Sequence, residues 1–338
     1  MNKAVLLTLI ITGMLVPFSV SGGEPFNIGF DDWIGFGPFF LAAEKDFFSG
    51  VAIRFIRIND EEQRRAGLAS GRLQMLCETI GMFEAGRKTA DYNGKLIFAL
   101  DESKGADAVL APMDINSVTD LKGRKVAGQW GSHSYNLLVA AMARNSMKLS
   151  DLVFLDMPMA QAMAAFVSGN ADALCAYEPH IFSALKGRPS AHELLSSKEF
   201  PGVIMNVAIA KEELISARRE DLEKIYEGWT KAVAYIREHP DESAKIISKA
   251  IGISADEFKM MSAGLSFFGK EDNETYFGVA TPCCESRAAA NYNLMGRALK
   301  INGLTDAVSP ASEKIDLSIV ESKRIIVPLP DILETQRP

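Results

Sequence analysis

Residues 25–38 read Pro25-Phe26-Asn27-Ile28-Gly29-Phe30-Asp31-Asp32-Trp33-Ile34-Gly35-Phe36-Gly37-Pro38. The first six predict a β-strand. Pro38 takes the favoured first position of a helix that carries Phe39, Phe40, Leu41, Ala42 and Ala43. The same unit, a strand followed by a polar junction and a helix, then recurs. Residues 51–58 alternate as a strand does, 61–70 read as a helix ended by Gly71, 73–77 as a strand, 79–87 as a helix and 95–100 as a strand. A second set follows, with strands over 108–111, 124–130, 152–155, 171–176 and 203–210. Helices at 118–121, 135–145 and 159–168 lie between them. Alternating β and α units predict an α/β fold with helices on the faces of its sheets. Beyond residue 211 the pattern is helical, over 211–237, 241–265 and 285–302, and 325–330 reads as a loose end.

The 338 residues are 48 % hydrophobic and 23 % charged, an ordinary globular composition, long enough for two domains or one lobed one. With 36 Lys and Arg against 43 Asp and Glu, the formal charge is −7. An acidic chain with no basic run is not built for nucleic acid. Four cysteines rule out a disulfide scaffold. Residues 1–23 read as a secretory signal: Lys3, an apolar run over 4–16, the break at Pro17, then Ser19, Ser21, Gly22 and Gly23. The run is shorter than the roughly 20 residues that span a bilayer. No cysteine near the cleavage region offers a lipid attachment point. The expectation is a periplasmic, soluble protein that is not a lipoprotein.

Ligands of open α/β sheets sit beyond the carboxyl ends of strands, and five such junctions stand out. In the first, Asp32 and Trp33 precede Gly35 and Gly37, glycines that let a backbone approach a ligand. Trp33 either stacks on a planar group or caps the core. The second holds Glu78 and Thr79, the latter a candidate helix cap. The third, 101–107, offers Asp101 as a partner for an amine, or is a solvated turn. The fourth is Trp130-Gly131-Ser132-His133, where a glycine turn leads into a helix under Ser or His and gathers free N–H groups. No Gly-Lys-Ser/Thr follows, so this is not a Walker loop. The fifth ends a strand in Tyr177 and Glu178, and Glu178 either reaches a cleft or faces water. None of the five contains an arginine.

Catalytic signals are weak. His133, His180, His192 and His239 lack metal-ligand spacing, and no Gly-x-Ser-x-Gly elbow occurs. Cys77 and Cys175 end apolar strands and read as core, with an inter-lobe disulfide as the other option. Cys283-Cys284 reads as two ordinary thiols or as a redox or metal pair. No cofactor, metal or catalytic residue is expected.

These junctions, in this order, resemble the periplasmic substrate-binding proteins of the nitrate, aliphatic-sulfonate, taurine and thiamine-pyrimidine-precursor group. The likeness spans roughly residues 26–300. It rests on Gly29 through Trp33, Gly37 through Phe48, Asp101…Ser103…Gly105-Ala106-Asp107, Leu121-Lys122-Gly123…Gly131-Ser132, and Asp172-Ala173…Tyr177-Glu178-Pro179. Gly71-Arg72-Leu73-Gln74 departs from the group's usual Asp-containing segment. The resemblance implies a two-lobed type II binding-protein fold, each lobe a mixed sheet flanked by helices, with a ligand cleft between the lobes. The first lobe would comprise 24–102 and 211–338, the second 103–210. It also implies a monomer that delivers a small-molecule ligand to the membrane subunits of an ABC importer. Ligand contacts are expected from Asp32, Trp33, Gly37, Glu78, Thr79, Asp101, Trp130, Gly131, Ser132, His133, Tyr177 and Glu178. Their acids and aromatics favour an amine-bearing, zwitterionic or heteroaromatic solute over nitrate. The alternatives are an enzyme on the same fold, of the thiamine-pyrimidine or lyase type, and a sensing module for a membrane receptor.

Overall fold

A computed structural model describes residues 24–86, 94–279, 285–301 and 309–322. The signal segment 1–23, Cys283-Cys284 and the 325–330 tail lie outside the described residues. Eleven strands are present among the described residues: β1 (Phe26–Phe30), β2 (Ile53–Arg57), β3 (Met75–Thr79), β4 (Gly94–Ser103), β5 (Asp107–Pro112), β6 (Lys125–Gly128), β7 (Val153–Asp156), β8 (Ala173–Tyr177), β9 (Ala191–Ser196), β10 (Met205–Lys211) and β11 (Leu265–Phe267). They form two mixed sheets, ordered β11-β4-β10-β3-β1-β2 and β7-β6-β8-β5-β9. β1 runs parallel to β2 and β3, while β10 lies antiparallel between β3 and β4. In the second sheet β6 is parallel to β7 and β8, and β5 is antiparallel to β8 and β9.

The chain passes between the sheets twice, from Ser103 to Asp107 and from Ser196 to Met205. The two passages lie side by side. Ser103 Oγ is 2.8 Å from Ser197 Oγ, and Gly105 N–H donates to that same Ser197 oxygen at 2.6 Å. Gly105 has φ of +128°, a conformation that L side chains rarely adopt.

Several elements differ from the sequence-based expectation for local reasons. β3 ends at Thr79, so Glu78 and Thr79 are strand residues. The helix expected from Tyr135 starts at His133, because Ser132 Oγ accepts the Tyr135 N–H at 3.3 Å and caps it. The strand read at 203–210 belongs to the first sheet as β10, so the chain re-enters that sheet at Met205. The helical run 241–265 is two helices, Pro240–Ile251 and Ala255–Ser262. Gly252 parts them at φ of +81°, and Ser254 caps the second. β9, the helix His180–Gly187 and the short β11 carry patterns too polar or too brief to predict.

The C-terminal helices cover the first sheet. Trp229, fully buried, packs 4.6 Å from Phe39 and donates its Nε1–H to the carbonyl of Phe268 at 2.9 Å. Asn273 ties the helix Lys270–Tyr276 to β4. Its Oδ1 accepts from Ala99 N at 2.7 Å, and its Nδ2 donates to Ala99 O at 3.0 Å. Asn273→Ala leaves both buried backbone groups unpaired, at a cost of about 1–3 kcal/mol. The expected result is a lower urea midpoint with an unchanged denaturant slope.

Candidate functional site

The carboxyl end of β1 delivers Asp31, Asp32 and Trp33 to the gap between the sheets. Asp31 is buried and ion-pairs with Arg64 of the helix Glu61–Ala69, Nη2 to Oδ2 at 3.2 Å. Burial pushes its carboxyl up, but Arg64, His133 and the Trp33 N–H outweigh that and hold it down at about 2. Trp33 is only 3 % exposed. Its Nε1–H donates to both oxygens of Asp101, at 3.1 and 3.3 Å, and Asn206 Nδ2 donates to Asp101 Oδ1 at 3.0 Å. Burial still dominates at Asp101. Partly countered by Asn206 and Trp33, it pushes the carboxyl up to about 7. Gly35 makes this pairing possible, since a Cβ there would collide with the Trp33 indole nitrogen and lie 2.6 Å from Asp101 Oδ2.

The second sheet answers with Asp107 at the start of β5, Tyr177 at the end of β8, and the helices that open at His133 and His180. Tyr177 Oη donates to Asp32 Oδ1 at 3.0 Å, and His180 Nε2 lies 3.2 Å from Asp32 Oδ2. The His133 ring stacks on Tyr177 at 4.7 Å and meets the Trp33 edge at 5.5 Å. So three consecutive residues of the first lobe, 31–33, are gripped by side chains of the second.

Beside this contact lies a cleft of about 750 Å³ lined from both lobes. Its wall carries the carboxylates Asp32, Asp60, Glu61, Glu62 and Asp156 against two basic side chains, Arg65 and His180. Arg65 is already engaged: its Nη2 donates to Met82 O at 2.8 Å and lies 3.3 Å from Glu61, while its Nε is 3.8 Å from Glu78. Trp130, 44 % exposed, stands on the wall. Its ring is backed by Tyr135 at 4.8 Å. Gly131 turns the chain there with φ of +77°. The residues of the wall offer hydrogen-bond acceptors and an aromatic face to a solute.

Of the residues singled out from sequence, Asp32, Trp130, Gly131 and Tyr177 line the cleft. Trp33, Asp101 and His133 lie sealed behind it, in the contact between the lobes. Thr79 serves as a cap, its Oγ1 accepting the Met82 N–H at 3.1 Å, and Ser132 caps the helix His133–Arg144. Gly37 faces away. A Cβ there would lie 2.7 Å from Ile247 Cγ2, so its smallness serves helix packing rather than backbone approach to a ligand. Glu178 opens onto a different hollow of about 390 Å³, beside Met260 and Met261, and its Oε2 accepts the Phe182 N–H at 3.0 Å. Burial pushes the Glu178 carboxyl up to about 7, with the Phe182 N–H countering.

Sequence reading counted Asp31 among the junction acids that favour a positive solute, not as a buried partner of Arg64, and it missed Asp107 and the arginines. Arg64 and Arg65 sit mid-helix rather than at a junction. The signal lay in the run Asp60-Glu61-Glu62-Gln63-Arg64-Arg65, where charges recur on the face that should be apolar. Cys77 and Cys175 are free and buried in separate cores, which excludes the inter-lobe disulfide. Among the described residues, no group of three or more His, Cys, Asp or Glu is placed to hold a metal. Among them, too, no helix is long and apolar enough to cross a membrane.

A family model described as NMT1/THI5 like matches residues 33–243. An Escherichia coli K12 protein provisionally named as an aliphatic sulfonates-binding protein is 44 % identical over 71 residues, 21 % of this chain and 22 % of that one. The chain spans between about a fifth and a half of the length of the curated relatives it matches. The crystal structure of the periplasmic aliphatic sulphonate binding protein SsuA from Escherichia coli aligns with a TM-score of 0.70 at 19 % identity, covering 89 % of this chain and all of that one. The desulfurization enzyme DSZB aligns with a TM-score of 0.63 at 12 % identity over 89 % of this chain and 98 % of its own. The fold is that of the periplasmic binding proteins, and it is shared with an enzyme.

The Asp101 carboxyl is raised in the folded state from an ordinary 3.8 to about 7. The stability it contributes is complete below the unfolded value and is lost as pH rises through 7. Asp101→Asn keeps an acceptor for Trp33 and removes that loss. Its melting temperature relative to the unsubstituted protein should climb from pH 4 to pH 7 and then level off, as scanning calorimetry would show.

Proposed function

This chain belongs to the NMT1/THI5-like family, and from that premise we propose that it is an exported solute-binding protein. In this proposal it holds a small organic solute between its lobes in the periplasm and hands it, as a monomer, to an ABC importer. The solute carries a cationic or hydrogen-donating nitrogen: an amine, a zwitterion of the taurine kind, or an aminopyrimidine. The observation that carries this is the cleft wall, where five carboxylates face Arg65 and His180 beside an exposed indole. A bare sulfonate or nitrate would meet net negative charge there and no uncommitted guanidinium. A cationic nitrogen would meet acceptors and the Trp130 face.

Binding fits these residues better than turnover. His133 is clamped between side chains, and burial pushes the Cys77 and Cys175 thiols well up, away from the reactive thiolate. Relatives whose names speak of sulfonates support the class of small organic solutes. Here the wall's charge selects the nitrogen-bearing members of that class.

A thermal-shift panel of putrescine, an aminopyrimidine, taurine, an alkanesulfonate and nitrate tests the proposal. A ligand at 100 times its Kd adds about 2.7 kcal/mol of stability, a visible rise in melting temperature. The nitrogen-bearing compounds should shift it and the alkanesulfonate should not. Trp130→Ala should weaken binding of the best compound about tenfold by isothermal titration, the loss of about 1.4 kcal/mol of ring contact. A shift confined to the alkanesulfonate or nitrate overturns the assignment of the solute.

A further inference from the structure

His133 lies where the two lobes meet. Its Nε2 is 3.9 Å from Asp31 Oδ2 of the first lobe, and its Nδ1 is 3.5 Å from Asp107 Oδ1 of its own lobe. All three side chains are buried, at 2 %, 5 % and 0 % exposure. Neither oxygen of Asp107 accepts a hydrogen bond, and His133 Nδ1 makes none. A neutral imidazole has one N–H and one lone pair. Placed between two carboxylates, it would aim that lone pair at one of them. Only the imidazolium suits both neighbours.

We propose that the His133 imidazolium is a latch that holds the two lobes together, a cation of the second lobe clamped between one carboxylate from each lobe. Opening the lobes would carry Asp31 away from it and admit water. The charged or titratable groups that face the ring are Asp31 after β1, Glu61 and Arg64 from the helix Glu61–Ala69, Asp101 from β4, Asp107 from β5 and Tyr177 from β8. Arg64 shares the Asp31 oxygen that faces His133, which limits the hold of that carboxylate on the ring. Tyr177 stays neutral, its phenol pushed up by burial and by Asp31 and Asp32.

The pH dependence has a definite sign. Burial alone would lower the His133 value, but Asp107 and Asp31 outweigh it and raise it to about 10. Released into solvent, the ring returns to an ordinary value of about 6.5. The latch is therefore complete below about 6.5, weakens as pH rises, and is gone above about 10. On the acid side, Asp31 is held down at about 2 from an ordinary 3.8, so its share persists above about 4 and is lost as pH falls through 2. Closure is firmest between about pH 4 and 6.5. A solute can enter only the open form, so its association rate scales with the open fraction and rises as the latch weakens.

The test needs no solute, so its failure would leave the proposed solute-binding function untouched. Histidine-ring NMR of the whole protein, with the resonance assigned by its loss in His133→Gln, should place His133 titration above pH 8.5. Asp107→Asn should lower it by more than one pH unit. Small-angle X-ray scattering should show the radius of gyration growing from pH 6 to pH 10 while far-UV circular dichroism stays constant. His133→Gln, which lacks the cation at every pH, should have the larger radius already at pH 6. A His133 titration below 8.5 overturns the latch, and so does a radius unchanged across that pH range in the unsubstituted protein.

Discussion

A carboxylate buried at the end of the first strand organises what surrounds it. Asp31 has almost no access to water, and a charge in that position survives only with partners. Arg64 supplies one, itself fully buried and anchored by donating Nη1–H to Ile58 O at 2.6 Å. This pairing turns the helix Glu61–Ala69 so that it presents charge to the interior. It also brings Glu61 and Arg65 to the cleft wall. Asp32 and Trp33, the next two residues, then reach the second lobe. There they meet Tyr177, His180 and His133. The contact between the lobes, the sealed Trp33–Asp101 pair and the acidic wall all descend from where that one carboxylate sits.

The alternation of strands and helices could be read without coordinates, because most strands of the two sheets are apolar or alternating and most junctions are marked by glycine, proline or a cap. Elements were lost where tertiary contact outweighs local pattern. β9 begins Ala191-His192-Glu193 and shows no alternation, yet it completes a sheet edge against β5. The long apparent helix over 241–265 divides at Gly252, a single backbone conformation that periodicity does not register. Site reading had the same limit. Asp32, Trp130, Gly131 and Tyr177 were legible as residues that line the cleft, because they stand where strands end. Gly37 carried the same junction signal, but packing against Ile247 explains it. Arg64, Arg65 and Asp107 were not legible as a group, since only the folded chain brings a mid-helix guanidinium to a strand-end carboxylate from another segment. Glu178 follows Tyr177 directly but lies in the turn after β8, which is how two neighbours come to serve different hollows.

The order of strands in the first sheet also governs when the protein can complete itself. β5 through β9 are contiguous in the chain and need nothing from outside residues 107–196 to close their sheet. β4 is different. Its sheet neighbours are β10 and β11, so on the ribosome it waits for about a hundred further residues before a partner exists. Leu96, Ile97, Phe98, Ala99 and Leu100 are all fully buried in the finished fold. Until Met205–Lys211 has been made, they form a bare apolar strand with both edges unpaired, the kind of segment that seeks pairing with other chains. A chain interrupted before residue 205 would thus carry a finished second sheet beside a sticky, unfinished first one.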